Sequence, residues 1–330
     1  MKFGIIKQIL PYGIVKRRPD PYFEWINGLP VAKPPHVYNE FGEEMKVFFL
    51  KDTGNPPYSL SLDRYPRYIL WDRFNRALDT HFYVHEHVFA DTYECKRKIA
   101  VLRESEEIMP QEYERALRRA DIMREFSMIL THSERILDKY ENARFAPANY
   151  TWYGSPRTGG VLSEKNFELK TKNISIIASD KGMCEIHKVR AAVAKHYVSN
   201  NRVDCFGRSV NNYIDKKADA LENYRYSIVI ENSETPFYFT EKILDCFAAM
   251  TVPIYYGATR IGDFFNTDGI IRLNRTDLDD FGAIDRIIAS CSENDYENRL
   301  DAIMDNYRRV QDYLCYEDYL YRHFEELRDC

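Results

Sequence analysis

Short apolar runs alternate with amphipathic segments through the second half of the chain. Five runs rich in β-branched residues predict strands at 174–178, 202–206, 226–230, 252–256 and 270–273. Apolar residues at helical spacing between them predict helices over 184–198, 211–224, 240–250 and 277–290. Strands alternating with helices of this length are typical of βαβ units, so we expect a parallel sheet covered on both faces.

The first half is less regular but predicts the same kinds of element. Apolar runs predict strands at 45–50, 67–71, 82–88, 98–102, 127–130 and 145–146, and helical spacing predicts a helix over 110–126. The turn-rich stretch WYGSPRTGG indicates a domain boundary near residue 160. We therefore expect an N-terminal α/β domain over 1–160, a C-terminal α/β domain over 161–293, and a helical tail over 294–330 that packs on the body.

The composition narrows the class of protein. The chain has 330 residues, of which 45% are hydrophobic and 29% charged, and this excludes a collagen, a coiled-coil rod and a polytopic membrane protein. Its formal net charge of −5 disfavours a protein that mainly binds nucleic acid. The seven cysteines include no CxxC pair, which indicates reduced thiols. The apolar N-terminus is too interrupted for a signal peptide or a spanning helix, so we expect a cytoplasmic protein.

Candidate chemistry lies where polar residues follow predicted strands or open a helix, since ligands of α/β sheets bind there. Thr240 can cap a helix that opens with Glu241 and Lys242; this is either an anion site or a plain capped helix. Glu104 follows a predicted strand and is either a general base or part of a solvated acidic loop. Arg190 is either a phosphate ligand or a surface charge on its helix.

Other binding motifs are weak. The segment HFYVHEH has superficial metal-ligand spacing. On a strand, however, His85 and His87 would share one face, and His81 would join them only at the far end of the strand. We therefore expect no metal site. No GxxxxGK[ST], GxGxxG or GxSxG pattern occurs, which argues against P-loop enzymes, Gly-rich dinucleotide sites and α/β-hydrolases.

The most specific signal runs from Tyr224 to Gly257. YRYSIVIENSETPFYFTEKILDCFAAMTVPIYYG resembles the signature of the α1,3/4-fucosyltransferases, glycosyltransferase family 10, of bacterial type. The shared features are an apolar strand ending in Glu-Asn, an aromatic residue in the next loop, Thr-Glu-Lys at a helix start, and a strand reading VPIYYG. Three upstream segments are similar to other segments of the family, namely ISIIASDKGMCEIHKVRAAVAKHY, VDCFG and KIAVLRESEEIMP. The resemblance therefore covers residues 98–275.

The resemblance implies a GT-B fold, in which two Rossmann-like α/β domains face a central cleft and C-terminal helices follow. It implies inverting, metal-independent transfer of fucose from GDP-fucose to a hydroxyl of an oligosaccharide that contains GlcNAc or glucose, with no cofactor required. The acceptor would be a bacterial surface glycan, such as lipopolysaccharide, or a glycoprotein. It would be assembled at the inner face of the inner membrane, where the protein could make peripheral contact.

The resemblance also assigns residues by position. Arg190 and Lys242 would hold the diphosphate, and Glu241 would bind the ribose. The donor-binding residues that it implies are Arg190, Asn232, Tyr238, Thr240, Glu241 and Lys242.

The same resemblance makes Glu104 the catalytic base, with Glu106 or Glu107 next in line. No residue of the pattern is by itself specific for guanine or fucose, so a GT-B transferase that uses another nucleotide sugar is an alternative. A non-catalytic protein that binds a sugar nucleotide or a glycan on the same scaffold is a second alternative.

Overall fold

The computed structural model describes residues 37–52, 64–90 and 92–329, together with the backbone of two short strands, β1 (Phe23–Ile26) and β2 (Leu29–Ala32). β1 and β2 pair antiparallel. The N-terminal residues in which we expect no signal peptide lie largely outside the described part of the chain. Among the described residues, no helix is both long and apolar enough to cross a membrane.

The chain forms two compact units. Unit 1 comprises Met1–Arg103, Gln111–Ala146 and Cys315–Cys330, and unit 2 comprises Glu104–Pro110 and Pro147–Leu314.

The turn-rich stretch near residue 150 belongs to unit 2, so the chain changes unit between Ala146 and Pro147, earlier than the predicted boundary near 160. The reason is a buried carboxylate, because Asp245 Oδ1 accepts hydrogen bonds from the backbone N–H groups of Trp152 (2.6 Å) and Tyr153 (2.9 Å). Those two bonds attach the stretch to unit 2.

Unit 1 contains a seven-stranded sheet in the order β3-β4-β6-β7-β8-β9, with β5 also paired to β4. The strands are β3 (Val37–Tyr38), β4 (Glu44–Lys51), β5 (Ile69–Asp72), β6 (Thr80–Val84), β7 (Arg97–Leu102), β8 (Met128–Thr131) and β9 (Ala143–Phe145). All pairs except β3 with β4 are parallel. The helices are α1 (Pro110–Arg118), which unit 2 shares through Pro110, α2 (Ala120–Met123) and α3 (Glu134–Lys139).

Unit 2 contains a five-stranded parallel sheet in the order β11-β10-β12-β13-β14. The strands are β10 (Lys172–Ile177), β11 (Asp204–Phe206), β12 (Tyr224–Ile230), β13 (Val252–Tyr256) and β14 (Ile271–Arg272). The helices are α4 (Glu185–Val198), α5 (Glu241–Ala248), α6 (Arg275–Asp279), α7 (Phe281–Ser290), α8 (Glu293–Asn298) and α9 (Leu300–Val310). A last helix, α10 (Tyr316–His323), lies in unit 1, so the predicted tail is divided between the units.

Residues 211–224 do not form the helix that their apolar spacing predicts. Asn211 is left-handed, with φ 54°, and the backbone of Asn212 exchanges two hydrogen bonds with that of Gly207, at 2.7 and 3.2 Å. A helix cannot begin inside this antiparallel bridge, so only a short 3₁₀ helix, Lys217–Ala220, forms in the segment.

The strand predicted over 82–88 is also shorter than its apolar run. β6 ends at Val84, and His85, with φ 55°, opens a 3₁₀ helix, His85–Phe89. The prediction that His85 and His87 share a strand face is therefore wrong. Within the described ranges, no group of three or more His, Cys, Asp or Glu side chains is placed to hold a metal ion.

Candidate functional site

The strand order of unit 2 reverses beside β10. From β10 the chain passes through α4 to β11 on one side, and then returns to β12 on the other side of β10. The carboxyl ends of β10 and β12 therefore form the topological switch point, which is where open α/β sheets bind their ligands. The candidate site is built around the end of β12.

Glu231 directly follows β12 and is fully buried, with 0% of its surface exposed. It accepts hydrogen bonds from the backbone N–H of Thr240 (2.8 Å) and from the Thr240 hydroxyl (2.7 Å to Oε2). Lys242 Nζ donates to the same Oε2 at 3.1 Å. A buried carboxylate is tolerable only when it is paired and hydrogen-bonded, and these two residues satisfy that need.

The start of α5 is organised by Thr240. Its Oγ1 accepts hydrogen bonds from the backbone N–H of Lys242 (3.4 Å) and from Lys242 Nζ (2.9 Å), while it donates its own proton to Glu231. The predicted N-cap is thus present, and it also fixes the lysine side chain. A capped N-terminus with a cation in its first turn favours negatively charged ligands.

Gly257 makes room for this arrangement. A Cβ atom at this position would lie 2.3 Å from the Tyr255 hydroxyl and 2.7 Å from Glu231 Cγ. The Tyr255 hydroxyl is itself fixed, because it accepts the backbone N–H of Ala258 at 2.9 Å. Only glycine therefore allows the chain after β13 to pass this close to the carboxylate.

Glu241 is held between two polar neighbours. Its Oε1 lies 3.4 Å from Lys242 Nζ, and its Oε2 accepts a hydrogen bond from Asn149 Nδ2 at 2.6 Å. Burial alone would raise the pKa of Glu241, but the charges of Lys242 and Lys217 outweigh it and lower the pKa to about 2. The carboxylate is ionised at neutral pH and is an acceptor for hydroxyl groups.

Arg190 extends from α4 to the end of β12. It is 5% exposed, and its Nη1 donates to the carbonyl oxygen of Ile230 (2.9 Å) and to Asn232 Oδ1 (3.3 Å). Its Nε and Nη2 make no hydrogen bond within the described part of the chain. Arg190 is therefore not the surface charge that its isolated position in the sequence allowed.

Glu104 lies in the loop after β7, in the segment that belongs to unit 2. Its Oε1 accepts hydrogen bonds from the Tyr238 hydroxyl (3.2 Å) and from the backbone N–H of Ser105 (2.9 Å). Burial and the charge of Glu104 raise the pKa of Tyr238 well above its ordinary value, so the phenol stays protonated and donates. Glu104 itself is only half-buried.

All seven residues assigned from the sequence lie in unit 2, and direct contacts join them into three groups. Arg190 contacts Asn232, Thr240 and Glu241 contact Lys242, and Tyr238 contacts Glu104.

Three further residues of the site were not assigned from the sequence, namely Glu231, His187 and Asn149. Glu231 had a visible signal, since it ends a buried apolar strand. His187 lies one turn before Arg190 on α4, and its ring contacts Asn232. Asn149 had no signal, because its partner Glu241 is 92 positions away.

Comparison with known proteins identifies a related family. Residues 167–315 match the family model described as glycosyltransferase family 10 (fucosyltransferase), C-terminal domain. This segment is a glycosyltransferase family 10 domain. It contains every residue assigned to donor binding.

Individual relatives are distant. The α-(1,3)-fucosyltransferase FucT of Helicobacter pylori is 26% identical over 125 residues, which are 36% of this chain and 25% of that protein. The matched stretch thus spans about a quarter of the length of this curated relative.

Two solved structures share the fold. A crystal structure of an α1,3-fucosyltransferase with GDP superposes with a TM-score of 0.51 at 18% identity, over 87% of this chain and 90% of that one. HepE from Anabaena, in complex with UDP and glucose, gives a TM-score of 0.53 at 10% identity, over 87% and 100% of the two chains. The GT-B fold class expected from the sequence is confirmed.

Proposed function

We propose that this chain is an inverting α1,3-fucosyltransferase that moves fucose from GDP-fucose to a hydroxyl of a glycan containing GlcNAc or glucose, without a metal ion. The observation that carries the proposal is the pair of cations, Arg190 and Lys242, that two buried networks hold at the end of β12 and the start of α5. The family match over 167–315 and the similarity to the FucT protein support the choice of fucose, and the similarity to a solved α1,3-fucosyltransferase with GDP supports the choice of GDP.

In this proposal the cations bind the diphosphate of the donor. Arg190 offers Nε and Nη2, a planar fork suited to phosphate oxygens, and Lys242 adds a second positive charge. The free N–H groups of the first turn of α5 lie at the positive end of the helix dipole, so they too can bind phosphate oxygens. Glu241, ionised at neutral pH, accepts hydrogen bonds from the ribose hydroxyls.

Transfer then needs a base. The acceptor oxygen attacks the anomeric carbon of fucose from the face opposite the diphosphate and forms the new glycosidic bond. The bond between that carbon and the phosphate oxygen breaks, and GDP leaves with the electron pair. Glu104 takes the proton of the acceptor hydroxyl, and the two donors on its Oε1, Tyr238 and Ser105, keep the carboxylate oriented. Arg190 and Lys242 stabilise the charge that grows on the departing diphosphate.

We further propose that the acceptor is a bacterial surface glycan, such as lipopolysaccharide, or a glycoprotein. The reaction would take place on the cytoplasmic side, at or near the inner membrane. This assignment is supported by the family resemblance alone.

A donor panel tests the function. The purified chain is incubated with a glycan array and GDP-fucose, GDP-mannose, UDP-glucose or ADP-glucose, and the linkage of each product is determined by NMR. We expect an α1,3-linked product from GDP-fucose only, at a rate that EDTA does not lower. Transfer from UDP-glucose would assign a different nucleotide sugar, and GDP-fucose binding without transfer or hydrolysis would indicate a binding protein.

The cation pair has a separate test in Lys242→Met. We expect kcat/KM to fall by ~10²–10³, the usual effect of removing one fixed donor to a developing charge. Lys188→Met is the matched control, because Lys188 is an exposed lysine of α4 whose ion pair is with the exposed Glu185. Unchanged transfer by Lys242→Met would remove the cation pair from the mechanism.

A further inference from the structure

His187 is a buried histidine, 1% exposed, that the mechanism above does not use. Its Nδ1 lies 3.2 Å from the backbone nitrogen of Met183, which donates to it. Its Nε2 lies 2.9 Å from Asn232 Oδ1.

These two contacts determine the tautomer of the ring. Because Nδ1 accepts the backbone N–H of Met183, it must carry the lone pair, and the proton of the neutral ring is on Nε2. Nε2 therefore donates to Asn232 Oδ1. Burial, with the positive charge of Arg190 next in importance, lowers the pKa of His187, so the ring stays neutral at neutral pH as this arrangement requires.

The same contacts determine the orientation of the Asn232 amide. Oδ1 accepts from both His187 Nε2 and Arg190 Nη1, so the oxygen must lie on that side and the Nδ2 group on the other. Nδ2 makes no hydrogen bond within the described part of the chain, although Asn232 is only 8% exposed. A nearly buried donor without a protein partner, beside Arg190 at the switch point, is placed to meet a ligand oxygen.

We propose that His187 is a positioning residue, which fixes the Asn232 amide so that Nδ2 donates to an oxygen of the donor diphosphate beside Arg190. This inference rests on the proposed function, since it takes the diphosphate of a sugar nucleotide as the ligand. Without the His187 donor, Oδ1 keeps the longer hydrogen bond from Arg190 Nη1 (3.3 Å), so the amide and its Nδ2 donor are held less firmly toward the ligand. The loss of one oriented hydrogen bond predicts a fall of about tenfold in nucleotide affinity.

Two variants separate the two hydrogen bonds of the ring. Asn places its side-chain oxygen near the position of Nδ1, so His187→Asn keeps the acceptor for Met183 but loses the donor to Asn232. Gln reaches the position of Nε2 with an NH₂ group, so His187→Gln keeps the donor to Asn232 instead. If His187 only supports the loop before α4, His187→Asn should lower GDP affinity less than His187→Gln does. If His187 positions Asn232, His187→Asn should lower GDP affinity more than His187→Gln does.

The experiment is isothermal titration calorimetry with GDP on the full chain, together with the KM for GDP-fucose and for the acceptor. We expect the dissociation constant for GDP and the KM for GDP-fucose to rise about tenfold in His187→Asn, with the acceptor KM unchanged. We expect His187→Gln to stay within about twofold of wild type. Asn232→Asp, which replaces the donor by an acceptor, should weaken GDP binding at least as much as His187→Asn. His196→Asn is the matched control, because His196 is exposed on the same helix.

Each contrary result has its own meaning. Wild-type GDP affinity in His187→Asn would overturn the inference while leaving the proposed function intact. Equal losses in both His187 variants, with lower melting temperatures, would also overturn it and make His187 a packing residue. No GDP binding by the wild-type chain would overturn the proposed function, and the inference with it.

Discussion

Glu104 and Glu231 are the same residue type in the same kind of place, since each follows the carboxyl end of a parallel strand. Their surroundings differ. Glu231 is fully buried and is bonded by Thr240 and Lys242, whereas Glu104 is half-buried and is oriented by Tyr238 and a backbone N–H.

This difference indicates a structural role for one carboxylate and a chemical role for the other. A carboxylate that is sealed in and tied to a lysine organises the helix start, but it is poorly placed to take a proton from a bound sugar. A carboxylate that is oriented by two donors and partly open to solvent can do so. We therefore propose that Glu104 is the base of the reaction and that Glu231 assembles the cation site.

The largest effect is expected from Glu104→Gln. The amide keeps an oxygen for Tyr238 but cannot accept a proton, so the rate of fucose transfer should fall by ~10²–10⁴. GDP affinity and the free energy of unfolding should hardly change. Transfer assays and urea denaturation measure the two quantities.

Glu107→Gln is the companion variant, because Glu107 is an exposed carboxylate of the same loop and a next candidate for the base; it should transfer fucose at the wild-type rate. Near-normal transfer by Glu104→Gln would contradict the assignment and move the base to Glu106 or Glu107.

Glu231→Gln should show the opposite profile. The variant neutralises the fully buried carboxylate that Thr240 and Lys242 bind, although Lys242 keeps its ion pair with Glu241. The free energy of unfolding should therefore fall by about 3 kcal/mol. Urea denaturation of Glu231→Gln beside Glu104→Gln measures the contrast directly. If Glu231→Gln were as stable as Glu104→Gln, the buried network would not hold the site together.

Glu241→Gln tests how the free energy of unfolding depends on pH. A folded-state pKa of about 2, below the ordinary 4.5, means that the ionised carboxylate stabilises the fold above pH 4.5 and that this is lost as the pH falls through 2. The difference in unfolding free energy between wild type and Glu241→Gln should be about 3 kcal/mol at pH 7 and about half that at pH 3. A difference that does not change with pH would mean that the Lys242 and Lys217 charges do not stabilise the ionised carboxylate.

The smallest effect is expected from Tyr238→Phe. It removes one hydrogen bond to Glu104, so kcat should fall about tenfold with GDP affinity unchanged. Tyr213→Phe, at an exposed tyrosine, is the control. Weaker GDP binding with normal kcat would instead place Tyr238 at the donor, as the sequence resemblance alone assigns it.

The region from β12 to β13 was predictable because its signals are local. The apolar run ending at Ile230, the Thr240 cap and the apolar face of α5 each depend on neighbours within one or two turns, and all three are present in the structure. The residues 211–224 also carry helical spacing, yet they do not form a helix. There the left-handed Asn211 and the bridge to Gly207 prevail over the apolar pattern.

The contacts of the site could not be predicted in the same way. Glu231 meets Thr240 and Lys242 beside Gly257, where a Cβ atom would come within 2.7 Å of Glu231 Cγ. Asn149 reaches Glu241 across 92 positions of sequence. Such partners depend on tertiary approach, on which local periodicity carries no information.

The donor specificity of the site is tested most directly by calorimetric titration of the chain with GDP-fucose and, separately, with UDP-glucose. GDP-fucose should bind saturably, its binding should be lost in Lys242→Met and retained in Glu104→Gln, and UDP-glucose should show no comparable binding. Binding of UDP-glucose in preference to GDP-fucose would mean that the site is not a GDP-fucose site.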